Sequence, residues 1–152
     1  MALTKLNNNS LGAITSAGLP TGSVIQVKQA TASGNLGSGN QTLVSVSITP
    51  ADANNRILVI GHTQCYTQSG ATSFVDMYRG STFIYRSAIN VGWDSMRSNS
   101  SASPIYWDDP QTTSAITYEL RGVSSGSTPG SWNYYTNANT ANTSITVMEI
   151  AV

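Results

Sequence analysis

Ser73–Ser87 reads S-F-V-D-M-Y-R-G-S-T-F-I-Y-R-S. Two runs of β-branched and aromatic residues flank Gly80-Ser81 and predict a β-hairpin. A two-residue type II′ loop fits that pair, because glycine tolerates the positive φ of the first central position. The turn implies a register: Arg79 faces Thr82, Tyr78 faces Phe83, Met77 faces Ile84, Asp76 faces Tyr85 and Val75 faces Arg86. With side chains alternating along each strand, Val75, Met77 and Ile84 fall on one face, and Phe74, Tyr78, Phe83 and Tyr85 on the other. Both faces are apolar. One is expected to cover a core, the other to meet a partner subunit, another part of the chain or a ligand.

Outward from the hairpin the same strand grammar recurs. Ser23–Gln29 is a strand, and a Gly- and Asn-rich loop comes after it. Thr42–Thr49 alternates with Val44, Val46 and Ile48 on one face, and Pro50 ends it. Arg56–Tyr66 opens with four consecutive apolar residues, predicting a central strand buried on both faces, with Gly61 marking a bulge. Ala88–Ser103 reads as a long loop with at most one irregular strand. Pro104–Trp107, Ser114–Arg121, Ser131–Thr136 and Thr143–Val152 are further strands, and Ser124–Gly130 and Asn137–Asn142 are turns. Eight or nine strands without an amphipathic helix predict an all-β antiparallel sandwich or jelly roll over 23–152.

Residues 1–22 differ. Leu3, Leu6, Leu11 and Ile14 are spaced without a helical or strand period, and Gly18 and Pro20 act as breakers ahead of the first strand. This reads as an extended N-terminal arm that docks through those four residues on a partner or a neighbouring copy.

Composition excludes several classes of function. Charged residues make up 9% of the chain, seven basic against seven acidic, where an average domain has roughly 25%. The cations are scattered, so no basic surface for nucleic acid is expected. Polarity comes instead from 22 Ser, 18 Thr and 13 Asn. No apolar leader opens the sequence and no apolar run approaches a membrane span, so cytoplasmic synthesis without membrane insertion is expected. The single cysteine, Cys65, excludes an internal disulfide and reads as a small core residue.

Catalytic groups are sparse. His62 is the only histidine, which rules out a multi-His metal site within one chain, and it reads as a hydrogen-bonded sheet side chain. Asp108-Asp109-Pro110 is ordinary turn chemistry, and adjacent carboxylates on a strand point apart. A hydrolase built across subunits from Asp76, Asp108, Asp109 or Glu119 is the weakest reading, and neither enzyme nor cofactor is expected. Trp93, Trp107 and Trp132 lie in or beside polar loops with Tyr106, Tyr134 and Tyr135. They would either pack on the sandwich and its neighbours or stack on a host glycan.

Three segments carry a resemblance: M-A-L-T-K-L-N-N-N-S-L-G-A-I-T-S-A-G-L-P-T-G-S-V-I-Q-V at the start, M-Y-R-G-S-T-F-I at the hairpin and T-S-I-T-V-M-E-I-A at the end. In order and spacing they resemble small virion proteins of tailed bacteriophages, especially those of cyanobacteria and other marine hosts. The resemblance implies a tail-fibre, tail-associated or capsid-decorating component located in the virion. It also implies a homo-oligomer, expected to be a trimer, bound to other virion proteins, and it brings no catalytic residues.

Overall fold

The computed structural model describes residues 18–67, 70–91, 98–126, 130–133 and 142–152. Eleven strands run β1 Val24–Ser33, β2 Gly37–Ser38, β3 Gln41–Ile48, β4 Arg56–Thr67, β5 Thr72–Arg79, β6 Thr82–Val91, β7 Ser98–Ala102, β8 Ile105–Asp108, β9 Ile116–Ser125, β10 Ser131–Trp132 and β11 Asn142–Ile150. They form two antiparallel sheets. One has seven strands along the path β1-β11-β4-β10-β2, with β7 and β8 on the other edge of β4; the second has four in the order β3-β9-β5-β6.

The pairing is nested: β1 with β11, β3 with β9, β4 with β7 and β8, and β5 with β6. A long hairpin folded over on itself gives this jelly-roll order. The N-terminal half of the chain supplies one strand of each pair and the C-terminal half the other, with β5-β6 at the fold's far end.

Alternation builds the core. Val44, Val46 and Ile48 of β3, Ile57 and Val59 of β4, Val75 and Met77 of β5, Tyr118 and Leu120 of β9, and Ile145 and Val147 of β11 are buried between the sheets. Two glycines let the sheets approach. A Cβ on Gly61 would lie 2.7 Å from Leu120 Cδ2, and one on Gly122 would lie 2.2 Å from Trp132 Cε2. Gly61 therefore marks a close approach and not a bulge, since the β4–β11 register runs unbroken from Arg56 to His62.

At one end the Glu149 carboxylate, fully buried, gathers the β3–β4 connection. Its Oε1 accepts from Ala51 N at 2.7 Å, Asp52 N at 3.4 Å and Asn55 Nδ2 at 2.7 Å, and its Oε2 accepts from Gln26 Nε2 at 2.6 Å. Four donors aimed at one carboxylate supply what burial removes from its solvation.

Four expectations change. The hairpin turn is as read, with Gly80 at φ +57° and no positive φ at Ser81, and Arg79↔Thr82 and Tyr78↔Phe83 pair as expected. Beyond them the register slips by one, to Met77↔Tyr85, Asp76↔Arg86 and Val75↔Ser87. Ile84 is the extra residue of a β-bulge, which moves the side chains from Tyr85 to Ala88 to the opposite face, and a second extra residue, Ile89, shifts the register again to Ser73↔Asn90. Second, β4 is central but buried on one side only: Leu58, Ile60 and His62 are half-buried on its outer face. Third, the expected long loop is shorter, because β6 continues to Val91 and S-N-S-S-A pairs with β4 as β7. Fourth, β9 carries through Ser124 to Ser125, and β10 stops after two residues, where Asn133 takes φ +57°. The arm's Leu3, Leu6, Leu11 and Ile14, and Trp93, Tyr134 and Tyr135, lie outside the described residues.

Candidate functional site

Among the described residues strand β6 closes the four-stranded sheet and pairs on one side only, with β5. Phe83 is 49% exposed and Tyr85 38%. The bulge separates them. Phe83 stays opposite Tyr78, meeting its ring edge-on at 5.8 Å between centroids. Tyr85 crosses to the side of Met77 and lies 5.9 Å from the Tyr106 ring of β8, at the rim between the sheets. The four residues Phe74, Tyr78, Phe83 and Tyr85 thus do not share one face; three lie on the sheet's outer surface and the fourth on its rim.

That outer surface is less apolar than its aromatic content suggests. Asp76, 1% exposed, is gripped by Arg86, with Nε to Oδ1 and Nη2 to Oδ2 both 2.7 Å. The same guanidinium stands 4.8 Å from the Phe74 ring centroid and 5.8 Å from that of Phe83. Arg121 lies 3.9 Å from the Tyr78 ring centroid while its Nε donates to Glu119 Oε2 at 2.7 Å. Each carboxylate holds an arginine whose guanidinium stands over an aromatic ring. Beside them opens a cleft of about 340 Å³, lined by Asn40, Thr42, Tyr78 and Arg121 among others. The bulge creates this arrangement by bringing Arg86 opposite Asp76.

The tryptophans separate. Trp132 is fully buried, its ring laid on Gly122 and its Nε1 donating to Gly39 O at 2.7 Å. A ring with no accessible face cannot stack on a sugar, so the glycan role read for Trp132 is corrected to core packing. Trp107 is 46% exposed on the outer face of the seven-stranded sheet, with the Arg56 guanidinium 5.3 Å from its centroid.

Asp108 and Asp109 diverge. Asp108 is buried and joins the two sheets, accepting from Tyr118 Oη at 2.6 Å and from Arg79 Nη1 at 3.1 Å on each oxygen. Asp109 is exposed. Burial, reinforced by the hydrogen bond to Asp108, pushes the Tyr118 hydroxyl far above its ordinary range. Asp76, Asp108 and Glu119 are therefore each bound to an arginine of their own chain. His62 Nδ1 shares a hydrogen bond of 3.0 Å with Ser103 Oγ. Cys65 is buried, and desolvation raises its thiol pKa against the opposing hydrogen bonds to Ser73 and Thr67.

No family model matches the chain, and no curated protein does. Among solved structures, the fold is similar to a structure of the Gx strain of infectious bursal disease virus, at 16% identity and a TM-score of 0.42, over 88% of this chain and 32% of that one. It is also similar to the VP2 subviral particle of infectious bursal disease virus, at 17% identity and a TM-score of 0.42, over 86% of this chain and 39% of that one. This chain thus spans about a third of the length of those it matches.

Proposed function

We propose that the chain is a structural subunit of a virus particle, of the tailed-bacteriophage kind its sequence resembles, serving as a tail-fibre, tail-associated or capsid-decorating component. It acts by self-association, with a trimer expected, and its N-terminal arm makes the attachment to other virion proteins. The reading is non-catalytic and invokes no cofactor.

A jelly roll by itself does not decide function, because the architecture serves capsid subunits and sugar-binding domains alike. The observation that carries the reading is the edge of β6, which pairs with no strand among the described residues on its far side. Edge strands of monomeric proteins are usually short or charged, whereas β6 has ten residues, and its one charge, Arg86, is bound to Asp76. Phe83 and Tyr85 remain half exposed beside it. Its bulges disfavour extending the ladder into a neighbour, so the contact is made by side chains, with Phe83 and Tyr85 as apolar anchors. A surface with 9% charged residues also suits cohesion that salt does not screen.

The C-terminal Val152 is 65% exposed, so a tag placed after it tests the reading in assembled particles. The tag is expected on the surface of intact virions by electron microscopy; a tagged chain that separates from infectious particles would overturn the reading. A second reading, recognition of a host glycan, rests on exposed Trp107. Trp107→Ala should then abolish binding on a glycan array, and an unchanged profile removes it.

A further inference from the structure

Strand β3 opens with a bulge. Thr42 pairs with Arg121 and Val44 with Leu120, so Leu43 is the extra residue. In an unbroken register Thr42 would fall in phase with Val44 and Val46 and point toward the core. With the bulge, Leu43 and Val44 are both buried, and Thr42 stands exposed on the outer face of the four-stranded sheet beside Arg121. The bulge thereby supplies one wall of the cleft of about 340 Å³ between β3, β9 and β5, which Asn40, Tyr78, Arg121 and Val123 also line.

Hydrogen bonds fix what these side chains have left to offer. Asn40 Oδ1 accepts from Ser124 N at 2.7 Å, which orients the amide; its Nδ2 has no partner among the described residues. Arg121 gives Nε to Glu119 Oε2 at 2.7 Å and lies 3.9 Å from the Tyr78 ring centroid. Held in this way, it keeps Nη1 and Nη2 unpartnered among the described residues, as is Tyr78 Oη. Thr42 Oγ1 donates to Glu119 Oε2 at 3.3 Å and keeps its lone pairs as acceptors.

Charge, hydrogen-bond character and size together select a ligand. The end of a guanidinium is a planar fork of donors that matches one carboxylate. Glu119 balances the charge of Arg121, and Asp76 that of Arg86, so among the described residues the cleft has no spare cation for a phosphate or a polyanion. Asn40 donates, Thr42 accepts and Tyr78 Oη does either, a combination that hydroxyl groups answer in both directions. The volume lies at the small end of ligand sites, enough for one sugar ring and not for a long chain. Val123 is the one aliphatic side chain among the described residues that line it, which leaves little surface for an apolar ligand.

We propose that this cleft binds one uronic acid unit, its carboxylate on the Nη1–Nη2 fork of Arg121 and its hydroxyls on Asn40, Thr42 and Tyr78. The inference goes beyond the assembly reading and holds whether or not the β6 edge associates. It also concerns the sheet opposite to the one that carries Trp107.

Titration of glucuronate into the isotope-labelled full-length chain, followed by two-dimensional NMR, tests it. The Asn40 side-chain amide and the Gly122 and Val123 backbone amides are expected to shift saturably. Glucose, acetate and inorganic phosphate should each bind about tenfold more weakly or worse, since each lacks either the carboxylate or the hydroxyls. Asn40→Asp keeps the acceptor for Ser124 N and exchanges the donors for a carboxylate oxygen, so it should weaken glucuronate binding by about tenfold or more while the rest of the spectrum persists. Arg121→Lys, which keeps the charge and loses the fork, should do the same. Glucose binding as tightly as glucuronate would overturn the proposal. Acetate or phosphate doing so would reduce the cleft to an adventitious ion only and overturn it equally, as would undiminished binding by Asn40→Asp or no saturable shift in the wild-type chain. A chain that sediments as a monomer yet titrates with glucuronate would retire the assembly reading and leave this one standing.

Discussion

Replacing Gly122 by alanine would place a methyl carbon 2.2 Å from Trp132 Cε2 and 2.6 Å from both Cδ2 and Nε1. The glycine is not held at positive φ, so the backbone accepts alanine and the effect isolates packing. Trp132 has nowhere to retreat: it is 0% exposed and tied by Nε1 to Gly39 O at 2.7 Å. Overpacking of a filled core costs about 1–3 kcal/mol, and stretching the indole hydrogen bond adds about 0.5–1.5 kcal/mol. The reduced entropy of the unfolded chain returns about 0.4–1 kcal/mol. The net expectation is a loss of roughly 1–3 kcal/mol, or on the order of 2–12 °C in Tm for a chain this long.

Urea unfolding monitored by tryptophan fluorescence measures it, with the midpoint falling and the m-value unchanged. Gly122→Ala in a Trp132→Phe background should recover part of the loss, because the smaller ring leaves room for the methyl. Gly61→Ala serves as the comparison. Its Cβ would come nearest to Leu120, at 2.7 Å from Cδ2, an overlap less severe than the 2.2 Å at Gly122 and with a side chain that no hydrogen bond ties, so a smaller cost is expected. A Gly122→Ala protein within about 0.5 kcal/mol of wild type, the usual spread of neutral surface changes, would refute the argument that Trp132 locks the sheets together across this glycine.

Glu149→Ala leaves the donors on Ala51, Asn55 and Gln26 without their carboxylate; a loss of about 3–5 kcal/mol is expected from unfolding curves, with faster amide exchange at Ala51. Tyr118 holds its proton in the folded state well above the unfolded tyrosine value of about 10. Above about pH 10 the folded state therefore keeps a proton that the unfolded state has lost, and stability should fall as pH rises through that range. Tyr118→Phe should flatten part of that alkaline decline in urea midpoints measured at successive pH values, and an identical slope in both proteins would contradict the assignment. Cys65, buried and with its thiolate disfavoured, should resist alkylation near neutral pH until urea unfolds the chain; rapid labelling of the native protein would count against its placement.

Alternation makes β3, β9 and β11 legible, because half-buried antiparallel strands print a period of two on the sequence. The bulge at Ile84 leaves no such print. One extra residue in a run of β-formers looks like any other, and its effect is to exchange the faces of Tyr85 and Arg86. β7 is equally hidden, since S-N-S-S-A is held by backbone pairing with β4 and has no apolar rhythm. Two further signals are present but mislead or go unused. The four apolar residues opening β4 imply burial on both faces, when the second face is the apolar outer surface bearing Leu58 and Ile60. In T-S-I-T-V-M-E-I-A, Glu149 falls in phase with Ile145 and Val147, so its burial is written in the period, while its donors lie 94 or more residues away in the chain. The Asp76–Arg86 grip and the Tyr118–Asp108–Arg79 clamp depend on strand register or sheet packing, which no local pattern encodes.

Sedimentation equilibrium of the purified full-length chain at micromolar concentration tests the proposed assembly through β6 most directly. The expected result is a species of several chains, three if the trimer holds, whose mass stays constant from low to high salt and which Phe83→Ser with Tyr85→Ser converts to single chains. A wild-type protein that sediments as one chain at that concentration, with Phe83 and Tyr85 left facing water, would contradict it.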